Sequence, residues 1–355
     1  MRKIIFANIV TAWFLIVPAL GQINPIDSLY TASDTLMEDF LSFSNDDVLR
    51  ISLRFDITQY TRKKSKDEYL NAIMTYHLSD TDSINKEIRL KSRGEFRNGY
   101  CDFPPISLNL KKAKSKDSSS NEIGKIKLVT HCKYGNEEYL FKEYLIYKLF
   151  NVLSDNSFRV KLLNIDYINT AKKSKPIKTY GFIIEPVDLL AKRTNSVEVN
   201  STILSQKNII PEMMDRLAIF NYMIGNTDWS VPNLHNVKVL SSLTMSQSGL
   251  GTIVPYDFDY SGLVDADYAI PYEGLGLSSV RERRYVGICR TEDVFINDLK
   301  EFSDKKAEFY KVINEFTLLN EKDKKVMIQY LESFFDKFDK RNSIVFDILA
   351  GCNRF

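Results

Sequence analysis

The sequence is poor in histidine and cysteine and has no large excess of charge of either sign. Its 355 residues include three histidines and four cysteines, and no two cysteines have the CxxC spacing. This composition argues against a zinc site. The formal net charge is +2 at pH 7, which equals the charge of Arg2 and Lys3. Because nucleic-acid-binding chains usually carry a basic excess, we expect no nucleic-acid partner.

The N-terminus has the pattern of an export signal. Arg2 and Lys3 precede an apolar run from Ile4 to Leu20, and small residues at positions 19 and 21 fit cleavage after residue 21. A transmembrane anchor is the alternative, but a run of about 17 residues interrupted by a polar side chain is marginal for spanning. We therefore predict a signal peptide over 1–21, a periplasmic or secreted protein, and no stable membrane span after cleavage.

The four cysteines are expected to form disulfides. An even number of cysteines in an exported chain predicts two bridges, for which three connectivities exist. We predict the pairs Cys101–Cys132 and Cys289–Cys352, because each of these bridges stays within one half of the chain.

The periodicity of apolar residues divides the chain into a β-rich part and a helical part. Alternation predicts strands over 49–55, 86–91, 106–110, 125–129, 160–168 and 179–184. A helical period predicts helices over 137–153, 211–224, about 303–316 and about 321–340. We therefore predict an α+β fold with a leader over 22–45, a β-rich lobe over 46–190 and a mainly helical lobe over 191–355. The lysine- and serine-rich segment 111–121 is expected to be a loop.

A group of acidic and amide side chains lies just after this lobe boundary. Asp228 follows the helix that Gly225 ends, so it is expected on a loop at a helix terminus. We interpret it as a base that accepts the proton of an acceptor hydroxyl. The alternative is an ordinary turn, since Asn-Thr-Asp is common in loops.

A second part of the group is expected to hold a divalent metal. A hairpin of 237–240 with 251–254, turning at 246–249, would bring Asn236 close to Asp257. Asp259 shares a face with Asp257 if the segment is extended, and two acids on one face repel unless a cation lies between them. We predict Asn236, Asp257 and Asp259 as ligands of Mg²⁺, with Mn²⁺ as the alternative metal. Asn233 is a rival for Asn236, and capping of a turn is the alternative for Asp259.

Cations for phosphate binding are expected in the β-rich part. Glu143 lies in an apolar stripe of the 137–153 helix and needs a cation from elsewhere, for which Lys127 is the natural supplier. Such a pair can hold the phosphates of a nucleotide; a purely structural salt bridge is the alternative. Lys111 and Lys125 are weaker candidates for the lysine. Neither a GxGxxG nor a Walker motif occurs, so we expect Arg93 to cover the phosphates instead.

The order of these residues resembles the atypical kinases of the spore-coat CotH type. More distantly it is similar to HipA and the type II phosphatidylinositol 4-kinases. The residues that carry the resemblance are Lys127, Glu143, Asn226-Thr227-Asp228, Asn236 and Asp257-Phe258-Asp259. The resemblance implies a bilobal protein-kinase-like fold, ATP and Mg²⁺. Two features depart from the family pattern: Trp229 stands where a basic residue is usual, and the interval from Asp228 to Asn236 is longer than in typical kinase loops.

Three functions follow from these observations, and the sequence leaves them open. The first is an exported CotH-like kinase that transfers the γ-phosphate of ATP to an acceptor hydroxyl, with a protein among the candidate acceptors. The second is a catalytically inactive binding protein of the cell envelope. The third is a metal-dependent hydrolase that uses Asp228, Asp257 and Asp259.

Overall fold

Seven strands in the first half of the chain close into a mixed barrel. They are β1 (Leu49–Phe55), β2 (Leu70–His77), β3 (Ser83–Ser92), β4 (Ile106–Asn109), β5 (Lys125–Val129), β6 (Val160–Asn169) and β7 (Ile177–Ile184). The order around the barrel is β1, β2, β3, β4, β5, β7, β6. The barrel closes where β1 runs parallel to β6; the other neighbours are antiparallel. Alternate side chains of β1, such as Ile51 and Leu53, are fully buried.

The structure is a computed structural model that describes residues 47–110, 125–133, 135–201, 203–243, 250–339 and 343–353. Several predicted features lie outside these residues. They are the signal peptide, the leader before residue 46, the 111–121 loop with Lys111, and the turn at 246–249.

A small sheet and a set of helices follow the barrel. The sheet has the order β10, β9, β8, with β8 at Ser196–Glu198, β9 at Val237–Ser242 and β10 at Thr252–Pro255. The first helices are α1 (Ile57–Lys63), α2 (Phe96–Tyr100), α3 (Glu137–Leu153), α4 (Val187–Arg193) and α5 (Pro211–Ile224). The last are α6 (Glu292–Asp304), α7 (Lys306–Asn314), α8 (Glu321–Asp339) and α9 (Ser343–Gly351).

Most of the predicted elements occur. Six of the seven barrel strands, α3, α5 and α8 match predicted segments, whereas β2 and the short helices α1, α2 and α9 were not predicted. The predicted helix over 303–316 is instead two helices, α6 and α7, that meet at Lys305. The segment 188–200, which spans the boundary between the two predicted lobes, contains most of α4 and all of β8.

The predicted bilobal protein-kinase-like fold is wrong. The strands form a closed barrel rather than an open sheet in a separate lobe. One continuous hydrophobic cluster joins β6 and β7 to α3, α5 and the late helices, and the described residues belong to one compact unit. The physical reason is α3, which is buried on most of its surface. It packs against β6 and β7 and also against α7, so its side chains belong to one hydrophobic core with both the barrel and the helices.

Both predicted disulfides are confirmed. Cys101 and Cys132 join the end of α2 to the segment after β5, with 4.6 Å between the Cα atoms. Cys289 and Cys352 join the chain before α6 to the end of α9, with 4.9 Å between the Cα atoms. Disulfides are compatible with an extracellular protein. Among the described residues, no helix has the length and apolar character needed to span a bilayer.

Gly225 fixes the direction in which the chain leaves α5. It has the left-handed φ of +68°, and its carbonyl accepts the N–H of Gly262 at 3.0 Å. A Cβ atom at this position would overlap the hydroxyl of Tyr330 from α8. Glycine therefore satisfies two separate requirements here, the left-handed backbone and the contact with α8.

Replacement of Gly225 should separate these two requirements. We expect Gly225→Ala to lower the free energy of unfolding by about 2–4 kcal/mol. The new Cβ would overlap the Tyr330 hydroxyl, and alanine would also be strained in the left-handed backbone conformation. The matched control is Gly276→Ala. Gly276 has a φ of +63° but no atom within 4 Å of the added Cβ, so about 1 kcal/mol is expected. Urea unfolding of both variants measures the difference; equal losses would contradict the role of Tyr330.

Candidate functional site

The loop after α5 is folded so that Asp228 faces outward. Asn226 is buried, and its amide nitrogen donates to Asn221 Oδ1 at 3.0 Å. Its own oxygen accepts the N–H of Asp228 at 3.0 Å. These two bonds turn the chain immediately after Gly225. The Asp228 side chain keeps 37% of its surface exposed, so an acceptor molecule can reach it.

Asn236 and His235 orient the carboxylate of Asp228. The Asn236 amide nitrogen donates to Asp228 Oδ2 at 2.9 Å and to the Asp228 carbonyl oxygen at 2.8 Å. His235 Nε2 lies 2.8 Å from Asp228 Oδ1. Since the amide nitrogen of Asn236 is committed to Asp228, its side-chain oxygen is the group left to bind a ligand. Asn233, the rival in the sequence, is exposed, whereas Asn236 is buried.

The predicted pairing of the two strands is confirmed, and it places Asn236 beside the strand that leads to Asp257. In the β9–β10 pair, Val237 is opposite Pro255. One residue further out, the N–H of Tyr256 donates to the carbonyl oxygen of Asn236 at 3.0 Å. Asn236 therefore precedes one strand of the pair, and Asp257 follows the other after one residue. The antiparallel register brings these two distant positions together.

Asp257 and Asp259 come together through a turn and not through an extended strand. Asp257 has a left-handed φ of +64°, and its N–H donates to the hydroxyl of Tyr147 at 2.8 Å. The chain turns at residue 259, where the buried Asp259 accepts a hydrogen bond from the hydroxyl of Tyr268 at 3.0 Å. The two carboxyl groups are close enough to share a hydrogen bond. Burial, together with the charge of Asp257, raises the pKa of Asp259 to about 7.

Glu143 takes its cation from Arg97 and not, as the sequence led us to expect, from Lys127. Arg97 Nη1 lies 3.3 Å from Glu143 Oε2 and 4.0 Å from Asp259 Oδ2. Its Nη2 donates to the carbonyl oxygen of Thr130 at 2.9 Å. Both side chains of the pair are buried, with 11% of Arg97 and 2% of Glu143 exposed. The need of Glu143 for a cation was predicted from the sequence, but the cation that meets it is supplied by α2, which the sequence did not place near α3.

Glu143 keeps one oxygen without a partner among the described residues. Its Oε1 is buried and accepts no hydrogen bond there. Burial raises the pKa of Glu143 well above its usual range, the charge of Asp259 adds to this, and Arg97 opposes it. A buried carboxylate oxygen without a donor is unfavourable, so this oxygen is suited to a ligand or a water.

Lys127 lies over the ring of Tyr256, the residue that precedes Asp257. It is on β5, between Ser107 and Ile184 of the neighbouring strands, and its Nζ is 4.0 Å from the centre of the Tyr256 ring. Burial and then the charge of Arg93 lower the pKa of Lys127 to about 8, while Asp257 raises it. Arg93 follows β3, and its buried Nε has no hydrogen-bond partner within the described chain. Lys125, the alternative on the same strand, is exposed.

Tyr260 connects the two groups of acids. Burial raises the pKa of Tyr260 to about 12, and the charges of Asp259, Asp228 and Asp257 contribute in that order. The hydroxyl of Tyr260 is therefore influenced by the charges of all three acids.

The arrangement combines cations and oxygen ligands. Arg93 and Lys127 can attract phosphate, and Asn236 and Asp257 can supply oxygen atoms to a hard cation. In the described part of the chain, no three histidine, cysteine, aspartate or glutamate side chains are grouped so that they alone could hold a metal ion. A metal bound here would therefore depend on other oxygen ligands as well.

Lys127 should react as an unusually acidic amine. We expect its acylation by trace acetic anhydride to be half-maximal near pH 8, because burial and Arg93 disfavour its charged form. Replacement of Asp257 by asparagine should shift this midpoint further down, because the carboxylate stabilises the charged lysine. Mass spectrometry of the labelled peptides gives the profile, with the exposed Lys125 as control. A midpoint at the usual value of about 10.4 would contradict the burial.

No protein-family model matches the chain, and a search of curated proteins gave no match. The chemistry assigned to this region therefore rests on its own side chains. These side chains are the acids that influence Tyr260, namely Asp228, Asp257 and Asp259, and the cations Arg93 and Lys127. Arg97 lies buried between Glu143 and Asp259.

Proposed function

We propose that this chain is an exported phosphotransferase that moves the γ-phosphate of ATP to an acceptor hydroxyl. The observation that carries the proposal is the position of Asp228. Its carboxylate is held by Asn236, and Asn236 is hydrogen-bonded to the residue that precedes Asp257. A base and a set of oxygen ligands are thus linked through one amide side chain. Phosphate transfer by these groups does not require a bilobal fold.

The residues present fit a magnesium ion. Asn236, Asp257 and Asp259 supply hard oxygen donors, which Mg²⁺ prefers, and Mn²⁺ accepts the same set. The close carboxyl groups of Asp257 and Asp259 would be relieved of mutual repulsion by a cation. Because few protein ligands are available, waters and phosphate oxygens would complete the coordination, as is usual for this metal. The ion would neutralise charge on the transferred phosphate.

Lys127 and Arg93 are the groups proposed to bind the phosphates. With a pKa of about 8, Lys127 is mostly protonated at neutral pH. Arg93 has an unpartnered guanidinium nitrogen and acts on Lys127 electrostatically, so the two cations repel each other in the free protein. An anion between them would relieve this repulsion. This supports a polyphosphate ligand at this position.

Asp228 is proposed to act as the base. As the acceptor oxygen forms its bond to the γ-phosphorus, its proton passes to the Asp228 carboxylate. The bond between the γ-phosphorus and the bridging oxygen breaks, and ADP leaves with that electron pair. Asn236 and His235 keep the carboxylate in one orientation. Positioning and charge neutralisation supply most of the rate in such reactions.

A second function, nucleotide binding without turnover, is favoured by one observation. Both carboxylate oxygens of Asp228 already have partners, Oδ1 with His235 and Oδ2 with Asn236. An acceptor hydroxyl would have to share one of these oxygens with its present partner. The proposed resemblance to CotH-like kinases does not distinguish the two functions, so the decision rests on the variants described next.

Nucleotide binding should depend on Asp257. We expect Mg-ATP at 100 times its Kd to stabilise the protein by about 2.7 kcal/mol, and Asp257→Asn to remove most of this effect. Thermal unfolding with and without ligand measures it. The matched control is Asp265→Asn: Asp265 also has a left-handed φ, at +55°, but pairs with Arg281. No stabilisation by any nucleotide with Mg²⁺ or Mn²⁺ would contradict both nucleotide functions.

Transfer should depend on Asp228. Asp228→Asn keeps the size and the bond to His235 but cannot accept the proton, so we expect a loss of about 10²–10⁴ in kcat with Mg-ATP binding retained. Release of ADP in the presence of candidate hydroxyl acceptors measures the rate. Asp265→Asn again serves as the control. If the wild-type protein binds Mg-ATP but neither it nor the variant transfers phosphate, binding without turnover is the correct function.

A further inference from the structure

We infer that Arg97 is a positioning residue of this site and that the Cys101–Cys132 disulfide holds it in place, so that the site is fully formed only in the oxidised protein. The catalytic part of this inference rests on the proposed function. The structural part, the clamping of Arg97, is testable without it.

Arg97 is the cation nearest to the buried acids. Its guanidinium lies between Glu143 and Asp259, at 3.3 Å and 4.0 Å from their oxygens. The charges of Asp259, Glu143 and Asp257 all favour its charged form. Without Arg97, two buried carboxyl groups would lose their compensating charge, which is strongly unfavourable. Either they would take up protons or the segment carrying Asp257 and Asp259 would move.

The helix that carries Arg97 is short and poorly buried. The helix α2 has five residues, none of them fully buried, and no side chain caps its N-terminus. A helix of this length is not stable by itself. On one face, the rings of Phe96 and Tyr100 pack against Tyr268, with centroids 5.7 Å and 5.2 Å away. Asn98 donates to the carbonyl oxygen of Lys64 at 3.0 Å, and Lys64 donates to that of Cys101 at 2.7 Å.

The disulfide fixes this helix at its end. Cys101 is the residue that follows α2, and its N–H donates to the carbonyl oxygen of Arg97 at 3.0 Å. Across the disulfide, the N–H of Phe103 donates to the carbonyl oxygen of Cys132 at 2.9 Å. Thr130, which accepts a hydrogen bond from Arg97 through its carbonyl oxygen, also donates to Phe103 at 3.0 Å. The disulfide therefore joins α2, which carries Arg97, to the segment after β5 that contains Thr130, the hydrogen-bond partner of Arg97.

The second disulfide provides a natural control. Cys289–Cys352 joins the chain before α6 to the end of α9. These elements contribute none of the candidate site residues. Loss of either bridge lowers overall stability, but only loss of Cys101–Cys132 should release Arg97.

Chemical modification of Arg97 tests the clamp. Phenylglyoxal, which reacts with accessible guanidinium groups, is applied to the folded wild-type protein, to Cys101→Ser/Cys132→Ser and to Cys289→Ser/Cys352→Ser, all well below their melting temperatures. We expect Arg97 to react at least about tenfold faster in the first double variant than in the other two proteins, because local opening exposes it. Peptide mass spectrometry measures the adduct. Equal protection in all three proteins would overturn the inference.

A second route is available if the first double variant does not fold. The wild-type protein is treated with dithiothreitol under native conditions; two electrons and two protons convert the cystine to two thiols, and the reagent becomes a cyclic disulfide. Circular dichroism confirms that the protein stays folded while Arg97 labelling is followed. Labelling that rises with reduction of Cys101–Cys132 supports the clamp, and labelling that does not change contradicts it.

The catalytic part is tested with the disulfide intact. We expect Arg97→Gln to lower kcat by about 10²-fold, because displaced acids misplace the reacting groups, and Arg97→Lys to recover part of this loss. The Cys101→Ser/Cys132→Ser protein should lose kcat, and the Cys289→Ser/Cys352→Ser protein should not. Full activity of Arg97→Gln would show that Arg97 is merely structural. If labelling responds as expected but no protein transfers phosphate, the clamp stands and the proposed function fails.

Discussion

The buried contact of Arg97 with Glu143 and Asp259 is the interaction on which the candidate site depends. Three elements meet at this contact: the short helix α2, the long helix α3 and the turn after β10. Buried charges are tolerated only when they are paired and hydrogen-bonded, and removal of one partner typically costs about 3–5 kcal/mol. The contact therefore restricts how these elements can be arranged, although a hydrophobic replacement of the whole group would be no less stable in principle. Stability alone therefore does not explain this contact.

The sequence predicted the local elements well and the long-range ones only in part. Alternation located most of the barrel strands because one face of each is buried, and Gly225 marked the end of α5 because glycine readily adopts the left-handed backbone that ends a helix. Both disulfides and the β9–β10 hairpin were predicted because their partners lie within one half of the chain. The parallel pairing of β1 with β6 was not predicted. It joins segments about a hundred residues apart, and no local pattern records which strand closes a barrel.

The same limit explains the error at Glu143. Its apolar neighbours on α3 predicted that it would need a cation, and this was correct. The identity of the cation depends on where α2 lies in three dimensions. Lys127 was preferred because it lies on the strand just before the helix, but its Nζ is placed over Tyr256 instead. Similarly, Asp257 and Asp259 were expected on one face of a strand, whereas a left-handed residue and a turn bring them together.

The candidate site contains both cations and acids, and this limits the kind of ligand that would fit it. The cations Arg93 and Lys127 repel each other and so do the acids Asp257 and Asp259, while Lys127 and Asp257 influence each other without forming an ion pair in the described structure. A simple anion would satisfy the cations but would be repelled by the acids. A simple cation would do the reverse. A metal–polyphosphate complex presents both signs at once, the metal toward the carboxylates and the phosphate oxygens toward the lysine and arginine. A ligand with that charge distribution would relieve the repulsion within each of the two groups, which neither ion would achieve alone.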